Sequence, residues 1–175
     1  DAAGLATGIV TTARITHATP AATYAHVPNR NWENDAALPA QAVAEGCKDI
    51  ALQLIEATRD GRGPSVMLGG GRKEFLTTAD NDAQLADKRG LRRDDRNLIH
   101  AWQQAHPQGA YVETAAQLAA HHNNTPVLGL FNYDHMQCDA DRKANGAVEP
   151  SLADMTAAAI QQLSSNREGY VLMVE

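Results

Sequence analysis

The 175-residue sequence predicts an α/β fold, a three-layer α/β/α sandwich built around a mainly parallel sheet. Two observations support this prediction. Short apolar runs alternate with amphipathic helical patterns, and turn residues separate them without an internal repeat or a domain linker. The chain also stops at Glu175, directly after the apolar run 170–174. A domain rarely stops at the tip of a buried strand, so we expect the sheet to be incomplete in this chain.

The first part of the chain contains two predicted strands and the clearest helical pattern. The run 5–12 is apolar and β-branched, which favours a buried strand. Thr19 followed by Pro20 predicts a helix start, with the hydroxyl at the N-cap and proline at the first helical position. Within 45–58, apolar residues recur at the spacing of an amphipathic helix. A turn then leads into a strand predicted at 65–68.

The second part of the chain continues the alternation. Residues 72–94 are polar and charged with little periodicity, so we expect a surface excursion there. Four elements follow: a helix at 96–106, a strand at 110–112, a helix at 114–121 capped by Thr114, and a strand at 126–131. An irregular acidic loop at 132–149 precedes a helix that begins at Ser151, where Asp154 completes a pattern resembling a capping box.

Composition excludes some classes of function. The net charge of −6 argues against nucleic acid as the main partner, because a phosphate backbone requires a basic face. No run approaches the roughly 18 apolar residues of a membrane span. Cys47 and Cys138 are too few for a disulfide scaffold or a zinc cluster. They could pair with each other, stay free, or pair with a segment outside this chain.

Three candidate ligands converge on one edge of the predicted sheet. His17 and Thr19 follow the first strand, and Glu175 follows the last. Ligands of parallel sheets bind beyond the carboxyl ends of the strands. The oxygens of Thr19 and Glu175 suit magnesium, and His17 could bind metal or orient a metal-bound water. The alternatives are an N-cap for Thr19, a solvated strand end for Glu175 and a structural histidine.

Several other charged or glycine-rich segments allow more than one interpretation. Arg30 suits phosphate oxygens through its bidentate fork, or forms a surface salt bridge. The triplet 69–71 lacks the spacing and the hydroxyl of a phosphate-binding loop, so we interpret it as a turn that breaks the structure. Acids dilute the basic run 88–93, which favours a solvated face. The acidic loop 132–149 lacks the ligand spacing of an EF-hand calcium site.

The sequence resembles alkaline phosphatases over almost its whole length. Five of the blocks that carry the resemblance are 16–21 (THATPA), 25–32 (AHVPNRNW), 45–51 (EGCKDIA), 67–72 (MLGGGR) and 174–175 (VE). The animal enzymes and their bacterial relatives resemble it more than the enteric bacterial form, which tends to have aspartate where His17 stands. The resemblance implies that the chain is a partial alkaline phosphatase catalytic domain covering 1–175.

The resemblance also implies a reaction and a set of roles. The family hydrolyses phosphate monoesters through a phosphoserine intermediate at two zinc ions, with magnesium nearby. Thr19 and Glu175 would be magnesium ligands, and His17 would hydrogen-bond to a magnesium-bound water. Arg30 would clamp two oxygens of the phosphate monoester substrate. A homodimer and a periplasmic or secreted location are implied in the same way.

The sequence departs from the family pattern in three places. The nucleophilic serine belongs upstream of residue 1 and most zinc ligands belong downstream of Glu175, so we expect this chain to be inert alone. Animal members bind calcium through the backbone carbonyl at the position of Phe131 and through acidic side chains. Asn132 replaces a glutamate and Glu149 replaces an aspartate there, which leaves calcium unassigned. Cys47 matches a family cysteine whose disulfide partner lies upstream.

Two rival interpretations remain from the sequence. One is another hydrolase of the wider superfamily, such as a phosphodiesterase or a sulfatase. The other is a self-contained, non-catalytic α/β domain that binds metal or phosphate.

Overall fold

The central element is a five-stranded sheet in the order β3-β4-β2-β1-β5, seen in a computed structural model that describes residues 4–175. The strands are β1 (Ala6–Arg14), β2 (Val66–Gly70), β3 (Ala110–Val112), β4 (Val127–Leu130) and β5 (Tyr170–Val174). All four strand pairs are parallel. The predicted parallel α/β architecture is therefore confirmed.

Helices lie on both faces of this sheet. The helices of the described residues are α1 (Ala18–Ala21), α2 (Ala40–Ala44), α3 (Ile50–Arg59), α4 (Leu98–Ala105), α5 (Ala115–Ala120), α6 (Asp139–Ala144) and α7 (Leu152–Leu163), of which α3, α4, α5 and α7 contribute to the two buried clusters. On one face, Leu54 of α3 and Trp102 of α4 share a buried cluster with Met67 of β2. On the other face, Met155 of α7 packs with Val66 of β2. Side chains of β2 thus alternate between two cores, which gives three layers.

Helix ends follow local capping chemistry. The predicted capping box at Ser151 is confirmed, because Ser151 and Asp154 bond to each other's backbone N–H. Thr114 caps α5 as predicted, with Gln117 completing a second box. The helix predicted at 45–58 begins later, at Ile50, because the carboxylate of Asp49 accepts the N–H of Leu52 at 2.9 Å.

The start of α1 corrects the sequence prediction. The N-cap position is His17, so Thr19 is the second helical residue rather than the cap, and Pro20 is the third. A proline is tolerated there because the first N–H groups of a helix have no intrahelical partner. The hydroxyl of Thr19 is therefore not committed to capping its own helix.

The glycine triplet is not a simple break. Gly69 and Gly70 belong to β2, and only Gly71 has a left-handed backbone, with φ of 102°. A Cβ on Gly70 would collide with the backbone oxygen of Asp134. The missing side chain of Gly70 therefore lets the loop after β4 lie directly on the strand end.

The predicted surface excursion at 72–94 is only partly at the surface. It contains no long helix or strand, but eight of its residues are buried: Arg72, Glu74, Phe75, Leu76, Thr77, Asp82, Gly90 and Arg92. The guanidinium of Arg72 donates to both carboxylate oxygens of Asp82, at 2.7 and 2.9 Å. The many charged residues of this segment suggest that it is exposed to solvent. Charged side chains that pair in this way can nevertheless be buried.

The acidic loop at 132–149 is also more ordered than expected. It contains the short helix α6, in which Asp139 pairs with Arg142 and Lys143 at one-turn spacing. Its last residue, Glu149, is buried.

Strand β5 lies at one end of the sheet and pairs only with β1 among the described residues. Its residues are all apolar, yet Val171 and Val174 are 55% and 44% exposed. Strands of parallel sheets are usually covered on both faces. Residues 4–175 do not cover this strand. Among these residues, no helix has the length and apolar character required to cross a membrane.

Candidate functional site

The predicted site residues lie where the parallel strands end. His17 and Thr19 follow β1, and Glu175 follows β5, which is the neighbour of β1. The backbone N–H of Glu175 donates to the carbonyl of Val10 at 2.9 Å, so this residue continues the strand pairing. The structure therefore places all three at the same edge of the sheet, as the alternation of elements indicated.

Arg30 and His17 are in direct contact. Arg30 Nη2 lies 3.0 Å from His17 Nε2. Because a guanidinium only donates, Nε2 of His17 is the acceptor. Arg30 is exposed, and no carboxylate in the described part of the chain lies within ion-pair distance of it. Within residues 4–175, Arg30 thus does not form the surface salt bridge that the sequence left open as an alternative. The guanidinium of Arg30 is free to bind an anion.

The oxygens of Thr19 and Glu175 have the chemistry of a magnesium site but do not complete one. Both residues are exposed. The Glu175 carboxylate accepts the hydroxyl of Thr11 at 3.1 Å, which leaves its second oxygen available. Within residues 4–175, no three His, Cys, Asp or Glu side chains are grouped closely enough to hold a metal. These residues fit magnesium as partial ligands, and they do not fit zinc.

An ion cluster centred on Arg14 was not predicted from the sequence. Arg14 donates to both oxygens of Glu33, at 2.8 and 2.7 Å, and to Asp134 at 2.6 Å. Glu33 also accepts the hydroxyl of Thr16 at 2.6 Å. The only signal in the sequence was a charged residue at the end of an apolar strand. This cluster fixes the turn that carries His17.

The electrostatics of the cluster favour its charged form. Burial alone would raise the pKa of Glu33, but hydrogen bonds from Arg14 and Thr16 outweigh burial and hold that pKa below its ordinary value. The hydrogen bond with Glu33 raises the pKa of Arg14. By contrast, burial raises the pKa of Glu74, which accepts a hydrogen bond from Asn34. Arg14 is therefore compensated by carboxylates, whereas Arg30 is not.

His135 is the second residue that the sequence did not indicate. It follows β4 and lies beside His17, with ring centroids 5.1 Å apart and an interplanar angle of 79°. Its Nε2 lies 2.8 Å from Arg14 Nη1. Burial and the charge of Arg14 lower the pKa of His135. The loop after β4 thus contributes an imidazole next to the predicted site.

Acid is expected to weaken the Arg14 cluster between about pH 4 and pH 2. Burial would raise the pKa of Asp134, but hydrogen bonds from Lys73 and Arg14 lower it from 3.8 to about 2. The stabilisation is present above pH 3.8 and is lost as the pH falls through the folded-state pKa near 2, where the carboxylate is protonated. Urea denaturation across this interval should show a steeper loss of unfolding free energy in the wild type than in Asp134→Asn. The exposed Asp87→Asn is the matched control, and identical pH profiles for wild type and Asp134→Asn would contradict the expectation.

Comparisons with known proteins identify the family of this chain. The family model described as alkaline phosphatase matches residues 1–175. The chain belongs to the alkaline phosphatase family. The tissue-nonspecific alkaline phosphatase of Gallus gallus is 41% identical over 180 residues, which cover 98% of this chain and 34% of that relative. The chain thus spans about a third of the length of the curated relatives it matches.

Solved alkaline phosphatases share the fold. The crystal structure of the Thermus thermophilus enzyme has a TM-score of 0.70 and 32% identity, and the match covers 98% of this chain and 29% of that chain. A mutant of the TAB5 alkaline phosphatase, described with Mg bound, has a TM-score of 0.65 and 23% identity. That match covers 98% of this chain and 38% of the TAB5 chain. At this identity, the likeness to the TAB5 enzyme shows the fold alone.

Hydrogen bonds occupy the position at which the resemblance to animal alkaline phosphatases implied a calcium site. The carboxylate of Glu149 accepts the side-chain amide of Asn132 and, at 2.9 Å, the backbone N–H of Gln137. Neutral donors therefore satisfy this buried acid. The donor set does not fit calcium, since an amide N–H is directed at the carboxylate.

The two cysteines of this alkaline phosphatase chain do not pair with each other. Cys47 and Cys138 are both free and exposed. Of the possibilities left open by the sequence, a disulfide between these two is excluded in this structure.

Proposed function

We propose that this chain is part of a longer alkaline phosphatase that hydrolyses phosphate monoesters, and that Arg30 binds the phosphate group. The observation that carries the proposal is the exposed Arg30 guanidinium, which contacts His17 at 3.0 Å and has no carboxylate partner within residues 4–175. A planar fork with five donors suits two oxygens of a phosphoryl group. Arginine also offsets the negative charge that spreads over these oxygens during transfer.

His17 and the two oxygen ligands support this role. By accepting a hydrogen bond from Arg30, His17 would hold the guanidinium beside the residues that follow β1. Thr19 and Glu175 would hold a magnesium ion, and His17 would orient a water bound to it. Bound metal supplies Lewis-acid stabilisation of charge on oxygen. The Mg described for the TAB5 mutant makes such a cofactor reasonable for a related fold.

The rest of the reaction would depend on residues outside this chain. A phosphoserine intermediate requires a serine nucleophile, and zinc requires a ligand cluster that residues 4–175 do not form. The chain spans about a third of its relatives, which leaves ample length for both. A homodimer and a periplasmic or secreted location are proposed from kinship with the family.

Substrate profiling of the longer protein tests the function directly. We expect it to hydrolyse p-nitrophenyl phosphate much faster than bis(p-nitrophenyl) phosphate or p-nitrophenyl sulfate, because a phosphate monoester dianion would bind the Arg30 guanidinium more strongly than the singly charged diester or sulfate ester. The 175-residue chain alone should show no turnover. Preference for the diester or the sulfate ester would instead favour a phosphodiesterase or a sulfatase. Turnover by the isolated chain would refute the proposal that essential catalytic residues lie outside it. A longer protein that binds phosphate without turnover would favour a non-catalytic domain.

A further inference from the structure

We propose that His135 is a positioning residue for His17 and, through His17, for Arg30. This inference rests on the proposed phosphate-binding role of Arg30. The three side chains form a continuous row, in which the His135 ring meets the His17 ring edge to face at 5.1 Å and His17 Nε2 meets Arg30 Nη2 at 3.0 Å. Edge-to-face aromatic pairs are a favoured and directional arrangement.

His17 requires this support because its hydrogen bonds do not fix its ring. Its Nδ1 is buried and has no hydrogen-bond partner among residues 4–175. Among residues 4–175, the contact between Nε2 and Arg30 is therefore the one hydrogen bond of the His17 ring. With one hydrogen bond, at Nε2, the ring can still rock about its Cβ–Cγ bond, whereas a neighbouring ring packed edge to face restricts this rotation.

His135 is itself held firmly from the opposite side. Arg14 Nη1 lies 2.8 Å from its Nε2, which accepts this hydrogen bond because a guanidinium only donates. The ring proton is then on Nδ1, so the backbone nitrogen of Arg14, 3.3 Å from Nδ1, is a packing contact and not a second hydrogen bond. Arg14 is in turn bound by Glu33 and Asp134. The row of rings thus ends at a half-buried ion cluster, which is a more rigid anchor than a solvent-exposed side chain.

The backbone places His135 within reach of His17. The loop after β4 passes so close to β2 that a Cβ on Gly70 would collide with the carbonyl of Asp134. The N–H of Met136 donates to the carbonyl of Thr12 at 2.9 Å, which ties the same loop to β1. His135 lies between these two fixed points.

Replacing His135 in the longer, metal-loaded protein tests the inference. In His135→Ala, we expect KM for p-nitrophenyl phosphate and the inhibition constant of inorganic phosphate to rise about two- to tenfold. The value of kcat should change by less than about twofold, because His135 touches neither Arg30 nor the reacting atoms. His135→Phe keeps an aromatic ring and should restore KM to within about twofold of the wild type.

A spectroscopic measurement separates positioning from general structural damage. In the metal-free longer protein, ring ¹⁵N signals of His17 should report one tautomer, with Nε2 as acceptor, in the wild type and in His135→Phe. In His135→Ala, they should report a mixture. His100→Ala removes an exposed histidine of α4 and is the matched control.

Each outcome has a definite meaning. If His135→Ala matches His100→Ala in KM and in the His17 signals, the positioning role is wrong. If His135→Phe behaves like His135→Ala, the ring contact is not the cause and the role is also wrong. If the wild type neither turns over the ester nor responds to phosphate, the proposed function fails, while the His17 tautomer still decides the role of His135.

Discussion

Arg30→Ala is expected to lower kcat/KM of the longer protein for p-nitrophenyl phosphate by about 10²- to 10³-fold. Removing one preorganised donor from a developing oxyanion costs about this much in other enzymes. Arg30 should act in the same way, because its guanidinium is exposed at the strand ends and is not neutralised by a carboxylate within residues 4–175. Steady-state kinetics would measure the loss.

Two further variants make the Arg30 test specific. Arg30→Lys keeps the charge but loses the planar fork, so it should recover only part of the lost activity. Arg167→Ala removes an exposed arginine from the turn before β5, at the opposite edge of the sheet, and should leave kcat/KM unchanged. The role of Arg30 would be refuted if Arg30→Ala retained kcat/KM within about twofold of the wild type.

Arg92→Met is expected to reduce the free energy of unfolding by about 3–5 kcal/mol. The Arg92 side chain is fully buried and donates to both oxygens of Asp49, at 3.0 and 3.1 Å. Its removal leaves the buried carboxylate of Asp49 without its charged partner. The same carboxylate caps α3, so a change in the position of Asp49 would also weaken the cap of this helix. Chemical denaturation monitored by circular dichroism would measure the change.

A neighbouring residue provides the matched control for Arg92. Arg93 is exposed, and Arg93→Met should change the free energy of unfolding by less than about 0.5 kcal/mol. The double variant Arg92→Met/Asp49→Asn should lose less than the sum of the single variants, because the buried charge of Asp49 is removed together with its partner. Asp94, which also accepts from Arg92, is partly exposed and keeps an ion pair with Arg96. An Arg92→Met protein as stable as Arg93→Met would show that this buried pair does not hold the segment in place.

Much of the site could be predicted because its residues lie at fixed places in a regular fold. Strand followed by helix puts His17 and Thr19 at the carboxyl edge of β1, and parallel pairing brings Glu175 to the same edge. The contact between His17 and Arg30 joins residues 13 positions apart, on either side of α1 and the loop that follows it, and no periodicity encodes it. His135 needed a contact across β4, β2 and β1, so its role was not visible in the sequence.

The differences between the predicted and the observed fold also have a physical origin. Charged residues are usually solvated, which predicts a surface position for 72–94, yet Arg72 and Arg92 are buried through paired carboxylates. Apolar spacing extends to Cys47 and so predicts an early start for the helix at 45–58, whereas the cap at Asp49 sets the real start. Local pattern predicts that an element exists, and a cap or an ion pair decides where it ends.

The sequence by itself determined the parallel α/β architecture, the helix cap at Thr114, the capping box at Ser151, and the strand-edge position of the candidate ligands. These features follow from periodicity and from contacts between near neighbours in the chain. Only the tertiary structure decided that Arg14 binds Glu33 and Asp134, and that His135 packs on His17. Charged and aromatic side chains contact the groups that lie near them in space. In this chain those groups lie up to about 120 residues apart in sequence.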